Sequence, residues 1–175
     1  MISAHHRRNS NRTGSYATND DFQQLFKTQF NDFFRLALRL TADAEKTEHC
    51  LILAKENCLS TNTICKDFVH VWARRMVIQN AIDLVLGTEC HSASNEGSEF
   101  HLLSGEIHKG DRLESVAILH LPKFDRLAFV ICALERLSIQ DCALLLRRPP
   151  KDVNEAIARA ASRIELQPLW VKRTA

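Results

Sequence analysis

The residues of this chain best suited to chemistry gather at one helix break near its C-terminal end. Arg147-Arg148-Pro149-Pro150-Lys151 interrupts two apolar helical patterns, and Asn154, Arg159 and Arg163 follow on the second of them. Guanidinium and ammonium groups collected in this way neutralise phosphates, the main source of affinity in nucleic-acid binding. Asn154 adds a side-chain amide that can pair with an adenine edge. Asp152 and Glu155 oppose such a role by repelling phosphate, although a carboxylate can also accept from cytosine. The plainer alternative is that all these groups form the solvated face of an amphipathic helix.

A second group, Trp72, Arg74 and Arg75, combines an aromatic ring that can stack on an unpaired base with cations that can hold its backbone. Trp72 has an equally good reading as a core residue, because Phe68 and Met76 lie four residues to either side. Enzymatic chemistry has little support. The phosphate-loop, dinucleotide, zinc-protease and nucleophile-elbow motifs are all absent, and five glycines leave little material for phosphate-cradling loops. The reading is therefore a non-enzyme with no cofactor and no metal. The six cysteines contain no C-x-x-C pair and fit buried thiols of a reducing cytoplasm. A zinc site from Cys58, Cys65, Cys90 and His91 would depart from the usual ligand spacing.

The elements that must position these groups follow from periodicity. Residues 1–20 are rich in Asn, Ser, Thr, Arg and His and read as a disordered tail. From Phe22 through Ala37, apolar residues recur at three- and four-residue spacing, which predicts one helix face. A second helix is predicted over about 43–59 and a third over about 65–86, with Gly87 as its C-cap. Residues 88–110 are polar and glycine-containing, as a linker would be. Helical patterning resumes from about 111, and Pro122 suits the start of a helix reaching Glu135. Ser138 is placed to cap a short helix ending near Leu146, and Pro150 to open the last one, through Ile164. No period-two run of β-branched residues occurs. The predicted fold class is all-α, with helical modules at 21–87 and 111–167 and a tail at 168–175.

Charge resolves along these divisions. The whole chain of 175 residues carries +2, which excludes a polybasic binder and an acidic tail protein. Residues 21–87 are neutral, 88–110 carry four Glu against one Lys, and 111–175 carry eleven basic and eight acidic groups. So small a C-terminal surplus predicts weak binding by the chain alone. No apolar run is long enough to span a membrane, and no secretory leader precedes the first helix.

Leu121 to Leu166 thus reads as a helix, a capped short helix, a tight break and a second helix, the order of a helix-turn-helix. This stretch resembles region 4 of bacterial RNA polymerase sigma factors of the small extracytoplasmic-function type. The resemblance rests on Leu121-Pro122, Phe129-Val130, Leu134-Glu135, Leu137-Ser138, Cys142-Ala143, Leu146, Val153 and Ala158-Arg159-Ala160. The first half resembles region 2 of the same family. There Phe33-Phe34-Arg35-Leu36-Ala37-Leu38-Arg39-Leu40-Thr41 with Asp43, Trp72-Ala73-Arg74-Arg75 and Ala81-Ile82-Asp83-Leu84 carry the match. The two motif sets occur in the family's order and together cover most of the chain outside its tails and linker.

The resemblance implies promoter-directed transcription initiation in the cytoplasm, with core RNA polymerase and promoter DNA as partners. An anti-sigma protein is a common further partner in the family. Trp72, Arg74 and Arg75 would contact the −10 strand. Arg147, Arg148, Lys151, Asn154, Arg159 and Arg163 would contact the −35 duplex. Glu48, His49, Ile52 and Leu53 fall on the polymerase-binding face, but the family's polar Gln and Glu are Ile52 and Leu53 here. Ile78-Gln79 replaces the family's Arg-Asn pair. The turn Gly falls on Arg147 and the capping Ser on Pro149, so either Arg147 takes a left-handed conformation or the turn differs from the family's. The apolar exchange at Ile52 and Leu53 motivates a competing reading, an interaction or regulatory protein that kept the fold and lost polymerase.

Overall fold

A computed structural model describes residues 16–61, 63–87 and 116–171, with side chains through Ile164. The expected linker and most of the expected N-terminal tail lie outside the described residues, as do Cys90 and His91. The N-terminal half comprises α1 (Asn19–Thr28), α2 (Phe30–Thr41), α3 (Ala44–Leu59), a 3-10 turn (Lys66–Phe68) and α4 (Val69–Leu86). In the C-terminal half, residues 116–119 are helical (α5), followed by α6 (Lys123–Phe129), α7 (Ile139–Leu146) and α8 (Pro150–Val171). Val130–Leu134 continues α6 as a π-helix. The described residues form no strand; Tyr16 and Cys65 make an isolated bridge.

Order begins earlier than composition predicts. Thr18 caps α1 by accepting from the Asp21 amide, while Asp21 accepts from the Thr18 amide at 2.8 Å, a reciprocal capping box. These bonds, with Lys66 at 3.2 Å, hold the Asp21 carboxyl below its ordinary pKa. Ala17 is buried, so residues 16–20 belong to the packed structure rather than to a tail.

The phenylalanine stripe is also two helices rather than one. Gln29 leaves helical geometry at φ −112°, ψ 23°, and no Pro or Gly marks the place in sequence. The bend lets the Phe26 and Phe33 rings meet at 4.9 Å and turns Phe30 to solvent. Gly87 ends α4 as expected by position, but at φ −69°, so it makes no use of a glycine's left-handed freedom. At the other end of the chain α8 reaches Val171, which places 168–171 in a helix instead of the expected tail.

α2, α3 and α4 pack on one another around Phe33, Leu36, Leu40, Cys50, Ala54 and Val77, all buried. α6 and α7 pack on α8 through Leu127, Val130, Cys142, Leu146, Val153 and Ala156. The two halves touch each other, and their buried apolar residues form one continuous cluster. Burial raises the Cys50 and Cys58 thiols to about 12 and moves Cys142 further in the same direction. All three are expected to resist alkylation at neutral pH until denaturant is added. Mass mapping checks this, and modification of the native protein would show that the core opens easily.

Candidate nucleic-acid interface

The α7–α8 helix pair is assembled by local rules. Ser138 caps α7, accepting from the Asp141 amide at 3.1 Å and donating to the Asp141 carboxylate at 2.6 Å. α7 then closes as a Schellman motif. The Arg147 amide donates to the Leu144 carbonyl at 3.3 Å and the Arg148 amide to the Ala143 carbonyl at 3.0 Å. That closure needs Arg147 at φ 53°, ψ 42°, the left-handed one of the two expected alternatives. A Cβ is strained there, so Arg147→Gly is expected to raise stability by about 0.5–1 kcal/mol. A urea midpoint no higher than that of the parent would refute the strain. Pro149 leads into α8 with no side-chain acceptor to offer, and Pro150 occupies the first helical turn, where its missing amide costs nothing.

α8 buries Val153, Ala156 and Ala160 and exposes the opposite side. Lys151, Asn154, Glu155 and Ala158 are exposed there, and their spacing places them on one face. Lys151 reaches Glu155 at 3.9 Å, an exposed pair of little energetic weight. Arg147 and Arg163 are exposed and make no ion pair among the described residues. Arg148 lies over the Phe124 ring at 5.9 Å, which leaves its remaining donors at the turn.

Arg159 is differently placed. Its guanidinium forks onto Asp125 of α6, Nη2 to Oδ1 at 2.7 Å and Nε to Oδ2 at 3.3 Å, and the Asp125 side chain is only 6% exposed. The pair ties α8 to α6, so Arg159 serves the packing of the C-terminal helices as well as lying at their surface. Arg159→Ala is expected to lower the unfolding midpoint by stranding a buried carboxylate. Arg159→Ala with Asp125→Asn should recover part of that loss; no recovery would refute the pairing.

The three N-terminal candidates divide. Arg75 is exposed on α4. Trp72 packs half-buried against the core, and its indole Nε1 is buried without a hydrogen-bond partner among the described residues. Arg74 is held by Glu135, which follows the π-helix of the C-terminal half: Nη2 donates to Oε1 at 2.7 Å and Nε to Oε2. The Glu135 side chain is 7% exposed. Asp83 is exposed and makes no ion pair among the described residues.

Arg126, absent from the sequence-derived candidates, joins the same boundary. It is 5% exposed and donates to the carbonyls of Leu40 and Thr41 at 3.1 and 3.0 Å, and to Leu121 at 3.0 Å. It thereby caps the C-terminus of α2 from the other half, where a cation also meets the negative end of the helix dipole. Burial lowers its pKa to about 10, which still leaves it charged at neutral pH. In sequence Asp125 and Arg126 follow Lys123-Phe124 and directly precede the apolar run Leu127–Leu134, so no local pattern marks Arg126 as buried.

Of the expected polymerase-binding face, Glu48, His49 and Ile52 are exposed on α3 and Leu53 is half-buried. Glu48 and Ile52 line an open groove of about 1230 Å³ with Phe30, Phe34, Leu51 and Lys55. Ile52 and Phe30 are each about half exposed. Among the described residues no cluster of His, Cys, Asp and Glu is arranged to hold a metal, and no helix is long and apolar enough to cross a membrane. No protein-family model matches this chain, and no curated protein matches it.

Proposed function

We propose that this chain is a sigma-factor-like subunit that directs core RNA polymerase to promoters in the cytoplasm. The C-terminal half reads duplex DNA and the N-terminal half engages polymerase and the separated strand. The observation that carries this reading is the face of α8, where Lys151 and Asn154 point outward beside the exposed Arg147 of the turn. A phosphate-neutralising cation and a base-reading amide there have the arrangement a major-groove helix needs.

Binding of promoter fragments across a salt series tests the reading. Lys151→Ala should weaken binding and reduce the salt slope by about 1, while Asn154→Ala should chiefly relax sequence preference. Retention of core polymerase by the tagged protein at low salt is the second expected result. If Lys151→Ala changes neither affinity nor slope, α8 is not the contact surface.

The groove beside α3 favours a second reading, a sigma-fold interaction module without polymerase. Exposed Phe30 and Ile52 on an open apolar floor suit a helical segment of another protein. Failure to retain polymerase, with loss of promoter binding, would decide for it.

A further inference from the structure

The groove beside α3 has walls of matching design. On α3, Glu48, Leu51, Ile52 and Lys55 fall at i, i+3, i+4 and i+7, so all four share the side of the helix that lines the groove. An acid thus stands two turns, about 10 Å, before a base, and the apolar pair lies midway between them. α1 repeats the order, with Asp20 and Lys27 on either side of two glutamines along the same groove. Phe30 and Phe34 of α2 complete it, their ring centroids 6.0 Å apart. Asp20, Lys27, Glu48 and Lys55 are all exposed, and none of them makes an ion pair among the described residues.

We infer that this groove is a self-association surface, and that its occupant is α3 of a second copy of this chain. A twofold interface requires each copy to offer both members of every contact. Opposite charges placed equally on either side of an apolar centre meet that requirement. With α3 antiparallel on α3 of the second copy, the two half-exposed Ile52 side chains meet at the axis. Each Glu48 then faces Lys55 of the other copy. α1 obeys the same rule, since its charges also change sign about its midpoint. A wholly acidic or wholly basic partner would be repelled by half of these groups, whereas a second copy matches all of them. The inference rests on the groove and on neither reading of function. Because Glu48 and Ile52 also belong to the expected polymerase-binding face, polymerase is the rival occupant.

Sedimentation velocity of the full-length protein at low salt tests the pairing. A shift from monomer to dimer is expected between about 1 and 100 µM, the range of a small interface. Glu48→Lys and Lys55→Glu each set like charges against one another and should weaken self-association about tenfold. Mixed in equal amounts, the two variants match both pairs again, and a heterodimer of parental affinity is expected. Both positions are exposed, so circular dichroism should show the helical fold unchanged in each variant. A parent that stays monomeric throughout overturns the inference; loss of polymerase retention in Ile52→Asp would then give the groove to polymerase. Dimerisation undiminished in both single variants places the contact elsewhere and overturns it too, as does a mixture that stays monomeric. None of these outcomes bears on promoter binding by α8, which its own variants test.

Discussion

Arg126→Ala is expected to destabilise the protein by about 3 kcal/mol, seen as a drop in the thermal midpoint of roughly 10 °C. The guanidinium is buried and serves carbonyls at Leu40, Thr41 and Leu121, so its removal strands several acceptors at once. Each hydrogen bond to a charged group contributes about 1.5–3 kcal/mol in isolation, but burying an unpaired cation also carries a desolvation cost. The two partly cancel, which is why the net figure is near the value for one such bond rather than three. Arg126→Met keeps the apolar stem and isolates the hydrogen-bonding part. It should recover less than half of the loss. Both variants within 1 kcal/mol of the parent would mean that the carbonyls find water instead, and that Arg126 does not join the halves.

Arg74→Ala should cost about 2 kcal/mol, again as a lower urea midpoint. The Glu135 carboxylate would remain almost fully covered with its cation gone. A buried pair broken from one side commonly costs about 3–5 kcal/mol; Arg74 is one-third exposed, so solvent screening reduces the figure here. Glu135→Gln should cost less, since an amide still accepts from Arg74 and leaves no buried charge. The double-mutant cycle between Arg74→Ala and Glu135→Gln should give a coupling of about 1 kcal/mol or more. Additive effects would place the two side chains apart in solution. The experiment also guards against a misreading, because weaker DNA binding by Arg74→Ala could reflect lost folding instead of a lost contact.

What was legible in the sequence was local. The helices around Ser138, Pro150 and the apolar repeat Val153, Ala156 and Ala160 could be read, because caps and helical periods act over three or four residues. The left-handed turn at Arg147 was among the expectations from the resemblance, whose turn Gly falls on that position, and the closure of α7 has that conformation. The bend at Gln29 was not. No residue type marks it, and it is favoured only by the packing of Phe26 on Phe33 that it permits.

Among the candidate site residues the same divide applies. Lys151 and Asn154 are exposed because the local helix geometry turns them outward, as periodicity predicts, and Arg147 is exposed in the turn before them. Arg74 and Arg159 look like their neighbours in sequence, yet each is engaged by a carboxylate, 61 and 34 residues away respectively. Arg126 finds its carbonyls on α2, 86 residues back.

By itself, then, the sequence determined an all-helical chain with a capped short helix, a tight break and a further helix near its end, and a modest basic surplus in its last third. These follow from spacing, capping and composition, which need no knowledge of distant neighbours. Only the tertiary structure decided which cations remain available. The choice depends on which carboxylates and carbonyls the docking of the two halves brings within hydrogen-bond reach. A charge can be counted in sequence, but its partner is set by packing, because desolvation at the boundary requires each buried charge and helix end to be matched there.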